Sequence, residues 1–192
     1  MKTLYSPLDE KSVRSLKLGD IVSITGPVYT GRDEVHIRAL EYLDEGKEVP
    51  QCLKEAVLYH CGPIMVEDKE GKWSVVAAGP TTSARMNTLE PRFIREFKIR
   101  AIIGKGGMSR EVAEAMKEVG CVYLAATGGA AVSYAEGLSR VTGRDWADLG
   151  MPEALWHFET RSLGPLVVAI DSEGNSLYDK VREKVAENLS KQ

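Results

Sequence analysis

The chain has 192 residues, of which 25 are basic and 28 acidic, giving a net charge of −3. Its 43% hydrophobic and 28% charged content is that of a folded globule, which excludes disorder and low complexity, and the net charge argues against a dedicated nucleic-acid binder but not against a local basic site. A chain this long buries roughly 70% of its unfolded surface, so residues 1–192 read as one domain with a self-sufficient core.

In chain order, the apolar and β-branched runs predict strands at 20–25, 56–60 and 73–78, then at 101–104, 122–126, 156–160 and 166–171. Helices are expected between them. The first, 33–45, carries Val35, Ala39 and Tyr42/Leu43 on one stripe, with Thr30-x-x-Asp33 as a capping signal and Gly46 as the stop. Pro91 opens a helix over 92–98 that faces Phe93, Ile94 and Phe97 inward. Ser109 caps 110–119, which ends at Gly120. A helix over 130–140 is poor in charge and expected to be buried, and 176–189 is an amphipathic terminal helix. Gly-Pro pairs at 26–27, 62–63, 79–80 and 164–165 read as strand ends. Strand, helix and strand alternate from Trp73 to Ala126, which predicts parallel pairing through right-handed crossovers and a mixed α/β domain.

No apolar run approaches the ~20 residues of a membrane span, and the first residues lack a signal-peptide core. A cytoplasmic protein without membrane contact is the expectation. The three cysteines, Cys52, Cys61 and Cys121, form no Cys-x-x-Cys pair, and Cys121 sits in an apolar run as a core residue. His36, His60 and His157 show no ligand spacing, so no metal is expected to be held by this chain alone.

Three Gly-rich turns each follow a predicted strand: Gly79-Pro80-Thr81-Thr82-Ser83-Ala84-Arg85, Gly104-Lys105-Gly106-Gly107-Met108-Ser109 and Thr127-Gly128-Gly129. At the carboxyl ends of parallel strands such turns gather where open α/β sheets bind ligands. Arg85 and Lys105 add positive charge there, and Arg32 does so at the start of the first helix. An arginine fork holds a carboxylate through two hydrogen bonds and lysine acts as a point charge, so the set suits a small di- or tricarboxylate. Thr81, Thr82 and Ser83 bring hydroxyls that can donate to it. The plainer reading is that these turns only reverse the chain and cap helices. Gly104-Lys105-Gly106-Gly107 is neither a Walker A loop nor a dinucleotide fingerprint. The basic stretch 92–110 reads as a solvated helix face rather than a nucleic-acid surface.

Gly-Arg-Asp-x-x-His at 31–36, Gly-Pro-Thr-Thr-Ser-x-Arg-Met at 79–86, Lys-Gly-Gly-Met at 105–108, Ala-Thr-Gly-Gly-Ala-Ala at 126–131 and the stretch 149–156 together resemble the β-subunits of class I, iron–sulfur fumarate hydratases. They are similar also to the β-subunits of L-tartrate dehydratases; only Ser83-Ala84 departs from the usual pattern. The resemblance implies a swivelling β/β/α domain that closes over a partner α-subunit carrying a 4Fe–4S cluster, this chain supplying no cluster ligand. It implies that Arg32, Arg85 and Lys105 bind the dicarboxylate, that Thr81 is the proton-transfer candidate, and that Thr82 contacts substrate. A two-chain fumarate hydratase, inactive as separate subunits, is the leading expectation. L-tartrate dehydratase and a non-enzymatic anion-binding module are the alternatives.

Overall fold

The apolar runs form strands whose period of two divides the core into two halves. In the computed structural model, which describes residues 1–191, the first half of the chain gives β1 (Lys2–Tyr5), α1 (Glu10–Arg14), β2 (Ile21–Thr30), α2 (Asp33–Asp44), β3 (Val57–Tyr59), β4 (Ile64–Glu67) and β5 (Trp73–Ala77). The second half gives α3 (Glu90–Phe97), β6 (Ala101–Gly104), α4 (Arg110–Val119), β7 (Val122–Ala125), α5 (Ala131–Gly137), β8 (Leu138–Asp145), β9 (Leu155–Ile170) and α6 (Leu177–Leu189). Parallel pairs join β1 to β2, β2 to β3, β3 to β6 and β6 to β7. The long β9 runs antiparallel to β2, β7 and β8, and its pairing with β2 closes β2, β3, β6, β7 and β9 into a ring.

Val57, Tyr59, Ala101, Ile103, Val122 and Leu124 point to one side of these strands and join Val28, Trp156 and Phe158 in one core. Leu58, Ile102 and Tyr123 alternate with them and face a second core under α2, α3 and α4. On α3, Phe93, Ile94 and Phe97 are buried as the 3.6-residue stripe predicts, and the helix stops at Lys98 in a left-handed conformation. Gly120 ends α4 in the same way. The fold is thus α/β, with a mixed sheet built around parallel βαβ units.

Several expectations are corrected. Gly26-Pro27 lies inside β2 and Gly164-Pro165 inside β9, each beside a register shift, so these pairs bend continuous strands instead of ending them. The strands expected at 156–160 and 166–171 are therefore one. The helix expected over 130–140 stops at Gly137, and residues 138–145 form β8 against β9. Nor is that helix deeply buried: Val132 is 65% exposed. Residues 73–77 leave the parallel sheet and pair with β4 in a separate ribbon. Thr30 does not cap α2; its hydroxyl accepts from the Trp156 N–H at 3.2 Å, and Arg32 stands at the cap position. Ser109 takes the cap position of α4 without a side-chain capping bond. On α6 the stripe Val181, Val185 and Leu189 is exposed.

Candidate active site

The carboxyl ends of β2, β3, β6 and β7 carry the turns that the sequence singles out. After β2 the chain turns at Gly31-Arg32, where the Gly31 N–H donates to the Tyr59 carbonyl at 3.0 Å. The Arg32 side chain is mostly buried, with Nε 3.2 Å from Glu153 Oε1. It lies against Gly62, where a Cβ would come within 2.7 Å of the guanidinium, so only glycine leaves room for it.

The segment after β5 passes through a 3-10 turn, Ser83–Met86, before α3 begins. It wedges between the ends of β3 and β6: the Thr81 N–H donates to the His60 carbonyl at 2.6 Å, the Lys105 N–H donates to the Thr81 carbonyl at 3.2 Å, and the Ser83 N–H donates to the Lys105 carbonyl at 3.1 Å. Gly104 makes this wedge possible, because a Cβ there would collide with Ser83 Oγ. So the turn belongs with the parallel strands although the strand before it does not. Thr82 bridges Lys105 in parallel register, and the Lys105 stem passes Gly128 of the third turn. Arg85 is half exposed and places Nη2 2.9 Å from Asp33 Oδ2, next in sequence to Arg32. Arg32, Thr81, Thr82, Arg85 and Lys105 therefore share one edge. Ser83 differs from its sequence reading: it is fully buried and its hydroxyl turns inward.

Beneath this edge lies a group of residues that linear spacing did not reveal. His36 and His60 both place Nε2 against Glu90 Oε2, at 3.1 and 3.2 Å, and all three side chains are fully buried. His36 Nδ1 is 2.7 Å from the Arg32 carbonyl, and His60 Nδ1 is 2.9 Å from Ser83 Oγ, to which the Tyr123 hydroxyl donates at 3.0 Å. Burial alone would raise the Glu90 pKa, but the two imidazoles hold it down to about 2. Burial likewise opposes charge on His36, yet attraction to Glu90 raises its pKa above the usual histidine value. For His60, burial outweighs Glu90 and lowers it. The available clue was a histidine three residues beyond the Arg-Asp pair of 32–33; Glu90, at the first turn of α3, carried none.

A second group, Cys52, Asp145 and His157, is only partly buried, with His157 Nε2 2.9 Å from Asp145 Oδ2 and 3.5 Å from Cys52 Sγ. Each group brings its donor atoms within 4.8 Å of one another. An iron–sulfur cluster asks for converging thiolates. The three thiols here do not converge: Cys61 belongs to the core on one side of the strands and Cys121 to the core on the other, while Cys52 packs at the edge of the latter. Burial pushes the Cys52 and Cys61 thiols up to about 12 and the Cys121 thiol well above its usual value. These residues do not fit a cluster.

A strand-end edge carrying two arginines, a lysine and two threonines places positive charge where open α/β sheets bind ligands. The family profile described as Fumarase C-terminus matches residues 3–181, and the chain belongs to that family. It is 46% identical over 191 residues to a Methanocaldococcus jannaschii protein provisionally named L(+)-tartrate dehydratase subunit beta, covering 99% of this chain and 97% of the relative. It is 33% identical over 186 residues to the L(+)-tartrate dehydratase subunit beta of Escherichia coli K12, covering 97% and 90%. A provisionally named class I fumarate hydratase of Geobacillus stearothermophilus is 43% identical over 188 residues, which span 98% of this chain and 35% of that protein. The chain is thus of the β-subunit family of these hydro-lyases. Among the described residues, no helix is long and apolar enough to cross a membrane.

Proposed function

We propose that this chain is the β-subunit of a two-chain class I fumarate hydratase, acting in the cytoplasm, which adds water reversibly to fumarate to give L-malate. The observation that supports it most is the meeting of the Gly31-Arg32 turn, the Thr81–Arg85 segment and Lys105 on one strand-end edge. Arg32, Arg85 and Lys105 bind the two carboxylates of the substrate. Glu153 and Asp33 hold the two guanidinium groups in place until it arrives. Thr81 is the proton-transfer residue at the carbon that gains the proton on hydration and loses it on dehydration. Its backbone is fixed on both sides by His60 and Lys105, which sets the hydroxyl in position. A free hydroxyl is a weak base near neutral pH, and the cations of this edge are the groups that stabilise negative charge on it. Thr82 contacts the substrate beside it.

The 4Fe–4S cluster is assigned to an α-subunit, a reading supported by thiols that do not converge among the described residues. Bound there, it would supply Lewis-acid chemistry, while the residues of this chain bind and orient the substrate. The active species is a hetero-oligomer, and this chain alone is inactive.

The relatives named tartrate dehydratase favour a second reading on the same edge, the conversion of L-tartrate to oxaloacetate. Anaerobic reconstitution of the α–β complex, with turnover measured on fumarate and on L-tartrate, separates the two. Faster turnover of fumarate supports the first reading and faster turnover of tartrate replaces it with the second. A cluster-loaded complex inactive on both leaves the anion-binding module.

A further inference from the structure

Two segments of the candidate edge, the turn bearing Arg32 and the wedge bearing Thr81, rest on one chain of polar groups: Tyr123, Ser83, His60, Glu90, His36 and the Arg32 carbonyl. Its protons follow from its partners. The Arg32 carbonyl can only accept, so at 2.7 Å His36 Nδ1 carries hydrogen. His36 Nε2 meets the Glu90 carboxylate at 3.1 Å, and both side chains are inaccessible from the surface. A bare lone pair there would face the lone pairs of an anion in a dry site, so this nitrogen is protonated too and the ring is an imidazolium.

At the other end, the Tyr123 hydroxyl donates to Ser83 Oγ, which leaves the Ser83 proton for His60 Nδ1 at 2.9 Å. His60 then carries its single proton on Nε2, toward Glu90 at 3.2 Å. Neither Nε2 contact is aligned as a hydrogen bond, and Glu90 Oε1 has no hydrogen-bond partner among the described residues. What holds the carboxylate is therefore charge more than directed bonding, and removing one partner would leave the other charge buried and uncompensated. Asp33, on the first turn of α2, and the ring of Phe93, on α3, also face this site, as do Cys121 and Tyr123 from the sheet side.

We infer that His36, Glu90 and His60 form a positioning device, an imidazolium–carboxylate–imidazole bridge that locks the turn bearing Arg32 to the wedge bearing Thr81. The bridge reaches both sides directly. His36 holds the carbonyl of Arg32 itself. His60 holds Ser83 through its ring and the Thr81 N–H through its carbonyl. Glu90 is the joint, because both rings meet the same oxygen atom. The distance between a carboxylate-binding guanidinium and the proton-transfer hydroxyl is thereby set by a dry ionic contact rather than by loop flexibility. This inference rests on the roles given above to Arg32 and Thr81. The charge assignment within the bridge stands apart from them.

The test has two arms. Long-range 1H–15N correlation spectra of the full chain read the rings directly: His36 is expected to be doubly protonated at pH 7.5, and His60 neutral with its proton on Nε2. Glu90→Gln, which keeps size and removes the charge, is expected to turn His36 neutral. In the reconstituted complex, Glu90→Gln and Ser83→Ala are each expected to raise KM and lower kcat, with kcat/KM down about tenfold to a hundredfold and assembly unchanged. Ser83→Ala is the milder change and covers a failure of the Glu90 variant to fold. A purely structural role would lower the melting temperature and leave kcat and KM as in the wild type; that result overturns the proposal, as does a neutral His36 in the wild-type spectrum. Should the wild-type complex turn over neither fumarate nor tartrate, the functional reading fails, while the spectra still decide the bridge.

Discussion

The two clusters of ionisable side chains use similar donors and differ in what surrounds them. In the His36–Glu90–His60 cluster all three side chains are inaccessible, each ring is engaged through both nitrogens, and the partners belong to the strand-end turns. In the Cys52–Asp145–His157 cluster, Asp145 is 41% exposed, and both Cys52 and Asp145 meet the same nitrogen of His157. Water can replace a partner in the second cluster and cannot in the first. The lesson is that burial turns an ordinary ion pair into a geometric constraint, whereas a pair open to solvent remains an exchangeable surface contact.

The largest expected effect lies directly above the buried cluster. Arg85→Ala and Lys105→Ala each remove a cation from the edge proposed to bind a dianion, a loss that typically costs about 2–5 kcal/mol. In the reconstituted complex kcat/KM should fall by roughly 30-fold or more, with subunit assembly intact by size-exclusion chromatography. Normal turnover in both variants would separate this edge from the chemistry.

Next comes the contrast between clusters in stability. Glu90→Ala strips the carboxylate from two buried imidazoles and should cost about 3–5 kcal/mol in urea unfolding. Asp145→Asn, on the partly exposed side, should cost no more than about 1 kcal/mol. Equal losses at the two sites would break the comparison.

A smaller effect is the pH dependence of stability. The raised pKa of His36 means that its contribution is complete below the unfolded value near 6.5 and declines as pH rises toward the folded value. His60 is lowered, so the unfolded chain takes up a proton first and stability declines as pH falls below about 6.5. Glu90, held at about 2, adds to the acid limb once the pH drops below the unfolded carboxylate range. Thermal melts should show a maximum near neutrality, with the acid limb flattened in His60→Asn and the alkaline limb in His36→Gln. The smallest effect is expected at Arg92, whose pair with Asp44 lies on the surface: Arg92→Ala should leave the melting temperature nearly unchanged.

How much of this was legible in the chain varies from residue to residue. Periodicity located α3 and α4 with their buried stripes, and the left-handed stop at Gly120 follows from glycine itself. The cationic edge was legible because Arg32, Thr81, Thr82, Arg85 and Lys105 each sit in a short Gly-containing motif. Residues 138–140 read as helix because Leu138 and its neighbours satisfy either period until β9 is there to pair with them. Ser83 looked like a further hydroxyl for the ligand, and only the missing Cβ of Gly104 admits it into the interior.

The sequence by itself determined the local events: where α2, α3 and α4 lie, which of their faces are apolar, and which turns carry charge, since each depends on neighbours within a few residues. The tertiary structure decided what non-local pairing controls. It closed the sheet through β9, moved residues 73–77 out to a ribbon while keeping the turn after them, and brought Glu90 between two histidines 24 positions apart in the sequence. Such a contact leaves no linear signature, because the low dielectric that gives it force exists only once both cores have formed.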